Sequence, residues 1–259
     1  MTTRLSFDDF LKTGPGERLL RWESAVIGEA VADVFGTAAL QAGEAIPALE
    51  QNRIQNKWRV IPETCLDPKL YLGGASPIAA ALEALPFEAA SFELVVLTHA
   101  LESSSSPQQV LREAVRVLEP EGRLVIAGFN PLGLWWQRQR CVSLGAKPYL
   151  PTASVPISVF RLKDWLSLLG LTVESGRFGV YSPAFQSPAR LRKWQWLDKA
   201  GSRWAPQLSN LFVLTAVKHA PGAARIQFAA ARKAAAELPR ATLPAASSPL
   251  PNHFSQDHS

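Results

Sequence analysis

Cysteine is scarce in this 259-residue chain, with only Cys65 and Cys141 present. Neither belongs to a CxxC or to a cysteine–histidine cluster, so the spacing offers no metal site. One disulfide is open to the pair, as are two reduced thiols in a reducing compartment. Long apolar runs are missing as well. None approaches the roughly 18 residues that cross a bilayer, so we expect no transmembrane segment. The first residues, "MTTRLSFDDFLKTGPG", carry acids and lack the apolar core of a secretory signal. A cytoplasmic protein is the expectation. Carboxylates are absent from 131–163, a stretch that holds Arg138, Arg140, Lys147, Arg161 and Lys163. The whole chain has 27 basic and 22 acidic residues, a net charge of +5. That excess favours anionic partners without singling out nucleic acid.

What is present is a hydrophobic chain with a clear alternation of elements. Nearly half its residues are apolar, 47%, enough for a sizeable core. Apolar residues at 19, 20, 22, 26, 27, 30, 31 and 34 have helical spacing, so 16–35 is predicted to be a helix. "AALQAG" at 38–43 and "WRVIP" at 58–62 read as strands, and "SPIAAAL" near 76–82 as a short third one. "LVVL" at 94–97 is the valine-rich run of a parallel strand covered on both faces. Ser106, Pro107 and Gln109 then form a helix start, with Ser106 as the capping residue. Val110, Leu111, Ala114, Val117 and Leu118 share one helical face. "EPEG" at 119–122 reads as a turn and "RLVIAGF" at 123–129 as another buried strand, which completes a βαβ unit. A helix over 161–170 with Gly170 just past its end, and strands over 171–178 and 210–218, follow. The Trp- and Arg-rich insertion at 182–206 is predicted to be helical. Residues 220–259 are rich in Ala, Pro and Ser and are expected to be a disordered tail beyond a domain at 1–219.

Residues 82–131 resemble the central block of class I S-adenosylmethionine-dependent methyltransferases of the type 11 family. The motifs are Leu85-Pro86-Phe87, Ser91-Phe92-Glu93, His99-Ala100-Leu101-Glu102 and the helix Arg112–Leu118. "GFNP" and "DWLSLLG" are similar to an uncharacterised bacterial branch of it. The resemblance implies an α/β fold: a doubly wound, Rossmann-like, seven-stranded sheet with its last strand antiparallel. It implies S-adenosylmethionine as cofactor, bound beyond the C-terminal strand ends at the switch point. It also implies transfer of a methyl group to an acceptor, which we expect to be a small molecule. The cofactor-binding residues carried over are Gly43, Glu44, Glu63, Leu82, Glu83, Leu85, Thr98, His99 and Leu101.

The chain departs from the pattern at its first loop. Relatives have G-x-G-x-G there, whereas "LQAGEAIPAL" keeps only Gly43, with Ala45 and Pro47 in the loop. Glu63 stands where an acid pairs with the ribose, and Ala81 where many relatives carry an aspartate facing the adenine. Two readings follow: methyl transfer with an altered loop, or a methyltransferase-fold scaffold that no longer holds the cofactor tightly.

His99 is the catalytic candidate, either as a pocket base or as a group that orders its loop through Glu102 or backbone. Glu102 is either a pocket carboxylate or a cap for the "SSSS" loop. Asn130 reads as a turn-former that can also reach substrate. Trp135 and Trp136, beside Arg138 and Arg140, are read as core packing, as a cover over the site, or as a weak membrane-surface contact. Trp194 and Trp196 beside Arg190, Arg192 and Lys193 raise nucleic acid as the lesser alternative to a solvated helix.

Overall fold

The computed structural model describes residues 5–44, 46–62, 78–144, 148–151, 156–183, 185, 194 and 196–219. All lie within one unit, Met1–Pro221, and the predicted tail lies outside the described residues. Two helices come first, α1 (Phe7–Leu11) and α2 (Gly14–Ala32). Ser6 and Thr13 cap them, their hydroxyls accepting from the amides of Asp9 and Gly16. Strands β1 (Ala38–Gly43), β2 (Asn56–Ile61), β3 (Ile78–Ala79) and β4 (Phe92–Thr98) follow. Next are α3 (Ala100–Ser103), α4 (Pro107–Val117), β5 (Leu118–Phe129), α5 (Leu134–Arg140), α6 (Val159–Leu168), β6 (Leu171–Gly179), α7 (Trp196–Trp204) and β7 (Leu211–Lys218).

The seven strands form one sheet in the order β3-β2-β1-β4-β5-β7-β6. Pairing from β3 to β5 is parallel, and β7 runs antiparallel to both its neighbours, as expected. The order reverses between β1 and β4. Their C-terminal ends meet there, with Gly43 opposite Thr98. In open α/β sheets such a reversal is where ligands bind.

Burial on both faces explains the unbroken apolar strands. Val95 and Leu97 of β4 join Leu111, Leu162 and Leu166 under α4 and α6. Leu94 and Val96 point the other way, to Ile27 and Val31 of α2. A third cluster caps the C-terminal strand ends: Phe7, Phe10 and Leu19 meet Phe129, Trp135 and Tyr149.

Several motif residues prove to be braces. Glu93 accepts hydrogen bonds from the amides of Thr37 and Ala38 and from the Thr37 hydroxyl, each at 2.9 Å, fixing the start of β1. Arg116 donates to the carbonyls of Phe87 and Leu85, and Glu113 accepts from the Leu85 amide. The Leu-Pro-Phe loop is thereby tied to α4.

Two local expectations change. "EPEG" belongs to β5: Phe92 pairs with Leu118, and the register resumes at Leu94–Arg123 across a bulge with Glu121 at φ 62°. Ser106 makes no side-chain cap. Ser104 serves the turn, its hydroxyl accepting from the Ser106 amide at 2.9 Å. The connection from β1 to β2 has no helix among its described residues, 46–55. Parallel strands are usually joined by one. Here α2 covers that face, and Ala48, Leu49 and Ile54 pack beneath it.

Gly43 and Gly170 both need positive φ, at 114° and 81°. A Cβ on Gly43 would sit 2.2 Å from the Thr98 carbonyl oxygen, whereas one on Gly170 would meet nothing within 4 Å. Gly170→Ala should cost about 1–2 kcal/mol of conformational strain. Gly43→Ala should cost at least about 3 kcal/mol, because steric overlap adds to the strain. Urea denaturation of the two variants measures the difference.

Candidate functional site

The site is built where β1 and β4 end. Chain direction changes at once after Thr98: His99 has φ 50°, a left-handed conformation uncommon outside glycine. Its amide donates to the Ala127 carbonyl at 3.1 Å, and its carbonyl accepts from Ser103. The turn drives the imidazole inward, where it is 1% exposed. Phe7 and Phe129 flank the ring at centroid distances of 5.2 and 4.4 Å.

Carboxyl groups surround that ring. Nε2 lies 3.1 and 3.2 Å from the two oxygens of Glu23, a fully buried residue of α2. Nδ1 is 3.9 Å from Oε2 of Glu102. The other Glu102 oxygen accepts from the Phe129 amide at 2.7 Å. Gly128 makes room for it, since a Cβ there would approach that oxygen to 2.6 Å. Glu44 completes the group, its carboxylate accepting from the Ser103 hydroxyl at 2.9 Å.

Burial alone would push the His99 imidazole down. The attraction and hydrogen bond of Glu23, with Glu102 and Glu44 nearby, overcome it and raise the pKa to about 9. Burial pushes Glu102 up, with the His99 charge and the Phe129 amide partly opposing it. Burial likewise raises Glu44, against the Ser103 hydroxyl and His99, while Asp8 of α1 raises it further. One imidazolium thus stands among several acids. The arrangement is receptive to another positive charge and poorly suited to an imidazole base, because His99 is already protonated near neutral pH.

The loop after Gly43 turns inward rather than standing open. The Glu44 amide donates to the Thr98 carbonyl at 2.8 Å, and the Thr98 hydroxyl donates to the Glu44 carbonyl at 2.7 Å. The side-chain amide of Gln41 donates to the Ile46 carbonyl at 2.7 Å, and Ile46 is buried with Phe7 and Phe10. Glu44 and Ser103 are half-buried, as are Ala80 and Glu83 in the segment after β3, where Ala81 is exposed. Glu83 accepts a hydrogen bond from the Ser104 hydroxyl.

Of the residues expected to hold cofactor, Gly43, Glu44, Thr98 and His99 come together at the switch point. Leu101 lies beside them in α3, and its side chain is buried in the core, as are those of Leu82 and Leu85. Glu63 lies outside the described residues. Asn130 is buried and works as a turn-former, donating to the Gln207 carbonyl at 2.8 Å and accepting from the Leu132 amide at 3.1 Å. Trp135 is fully buried, its indole donating to the Ser182 carbonyl at 3.0 Å. Among the described residues no cluster of three metal-ligating side chains occurs. Glu23 was missed. A signal existed: Leu19, Glu23, Ile27 and Val31 all share the buried stripe of α2, and a carboxylate in such a stripe requires a buried partner.

A pattern described as a methyltransferase domain matches residues 64–126, which run from the segment after β2 into β5. The uncharacterised protein YafS of Escherichia coli K12 is 39% identical over 97 residues, 37% of this chain and 40% of YafS. The ubiquinone/menaquinone biosynthesis C-methyltransferase UbiE of Ruegeria is 29% identical over 132 residues, 48% of this chain and 47% of UbiE. The chain thus spans less than half the length of either relative. In three dimensions it is similar to a chain of the Haloferax volcanii complex between the methyltransferase activator Trm112 and a candidate methyltransferase. That likeness has a TM-score of 0.57 at 15% identity and covers 84% of this chain and 98% of the other. Sheet order, family pattern and structural likeness agree. The chain has the sheet of the methyltransferase fold and carries a methyltransferase-domain pattern over 64–126.

The matched pattern begins after the β1 loop, the part in which the sequence departs from G-x-G-x-G. The His99–Glu23 pair should register in stability. Folding holds a proton on His99 up to about pH 9, whereas the unfolded imidazole releases it near 6.5. The stabilisation is complete below 6.5 and is lost as pH rises through 9. Glu44 and Glu102, whose pKa values are also raised, act in the same direction. Calorimetric Tm should therefore fall between pH 6.5 and 9.5, and His99→Gln should flatten that fall. Glu23→Ala, which strips the buried cation of its partner, should cost about 3–5 kcal/mol near pH 7.

Proposed function

We propose that this protein transfers a methyl group from S-adenosylmethionine to a small-molecule acceptor. The observation that carries the reading is the acid-rich cluster at the Gly43–Thr98 switch point, where doubly wound sheets bind ligands. S-adenosylmethionine supplies an electrophilic methyl group on a sulfonium and has an ammonium nearby. Its two positive charges complement a site where Glu44 and Glu102 outnumber the His99 cation. The protein's own role is then to orient and to keep water out. Glu44 and Ser103 would hold the cationic end, and the Ala80–Glu83 segment would flank the adenine. Phe129 and Phe7 keep His99 and Glu102 away from solvent. His99 acts as a fixed charge that positions Glu102. The similarity to UbiE, named a C-methyltransferase, supports methyl transfer and leaves the acceptor open.

A second reading is a scaffold that has given up the cofactor, and the inward turn of Glu44 and of Ile46 to Leu49 favours it. Calorimetry separates the two. Under the first, S-adenosylmethionine binds and releases heat. Ala81→Asp, which restores an acid on the exposed rim, should tighten binding about fivefold to tenfold, as one charge-assisted hydrogen bond would. Absence of binding at millimolar cofactor by both the parent and the variant would establish the scaffold.

A further inference from the structure

Apolar and cationic side chains are concentrated on one surface that the site does not use. The segment leaving β5 exposes Leu132 and Leu134. It lies against the segment that enters β7: Asn130 donates to the Gln207 carbonyl, and Gly133 is so close to Ser209 that a Cβ there would meet the Ser209 carbonyl at 2.6 Å. That second segment exposes Trp204, 82% accessible, and Leu208, 55% accessible. Two leucines from one strand exit and a tryptophan and leucine from the neighbouring connection therefore stand on adjoining stretches of chain, in water. Large apolar groups gathered in this way mark an interaction surface.

Charge says what kind. Arg138 is exposed on α5, its guanidinium 4.9 Å over the Tyr149 ring, and Arg203 precedes Trp204 on α7. No carboxylate occurs in 131–163, so the segment that carries α5 offers no acid of its own beside Arg138. The one acid of α7, Asp198, is engaged elsewhere, pairing with Arg18 and accepting from the Tyr181 amide. A protein partner would bring mixed charge. Apolar side chains interleaved with unneutralised arginines match an anionic lipid surface, where hydrocarbon takes the tryptophan and leucines and headgroups take the cations.

We propose that this face, centred on Leu132, Leu134, Trp204 and Leu208 and edged by Arg138 and Arg203, docks reversibly on membranes rich in anionic lipid. No helix of the described residues is long and apolar enough to cross a bilayer, so the contact is peripheral. Docking does not depend on methyl transfer and is tested without cofactor.

The test is flotation of the full-length protein with vesicles of equimolar phosphatidylglycerol and phosphatidylcholine, and with pure phosphatidylcholine. Protein should float with the anionic vesicles only, and less so as salt rises. Trp204→Ser with Leu208→Ser should lower the partition coefficient at least tenfold. Arg138→Glu with Arg203→Glu should lower it by a similar factor, since each cation near such a surface is worth about fivefold. All four positions are exposed, and far-ultraviolet circular dichroism should match the parent. Failure of the parent to float, or undiminished flotation of both double variants, would overturn the proposal. So would binding to a polyuridine oligonucleotide that both double variants lose while vesicle binding persists, which would make the face a nucleic-acid surface.

Discussion

A buried charge has to be answered, and in this protein answering one organises the end of the sheet. His99 follows directly from the strand that occupies the switch point, and its left-handed backbone commits the ring to the interior. An imidazolium there is tolerable only with a carboxylate against it. Glu23 supplies that from α2, 76 residues earlier. The pair therefore does more than satisfy itself. It fastens the N-terminal helices over the strand ends, and the aromatic cluster of Phe7, Phe10, Phe129 and Trp135 closes around it.

Once the ring is charged, the remaining acids acquire a meaning. Glu102 accepts from the β5 backbone and stands 3.9 Å from the ring, and Glu44 faces it from the β1 loop with Ser103 as a donor. The cluster holds more acidic side chains than basic ones, and burial raises the pKa of Glu44 and Glu102.

Much of the scaffold could be read from the sequence because it is local. The valine run of β4, the one-sided helix α4 and Gly170 after α6 each obey a periodicity or a capping rule over a few residues. The boundaries of β1, 38–43, follow the apolar run itself. Errors came where tertiary contacts overrule local chemistry. Ser106 is a good cap by type, yet Ser104 takes the work because its hydroxyl is also drawn to Glu83. "EPEG" looks like a turn, yet pairing with Phe92 extends the strand through it by a bulge. The site was half legible. His99 and Glu102 stood out by motif, and the structure sets the His99 ring against Glu23, a partner neither reading named. Glu23 did not stand out, because the partner of a buried acid is set by the fold rather than by its neighbours in the chain.

His99 is expected to be a cation at neutral pH. The most direct measurement is the nitrogen chemical shift of its imidazole in isotopically labelled protein, assigned by comparison with His99→Gln. At pH 7.5 both ring nitrogens should show the protonated shifts, with titration only near pH 9. A neutral ring at pH 7.5, titrating near its ordinary 6.5, would contradict the account.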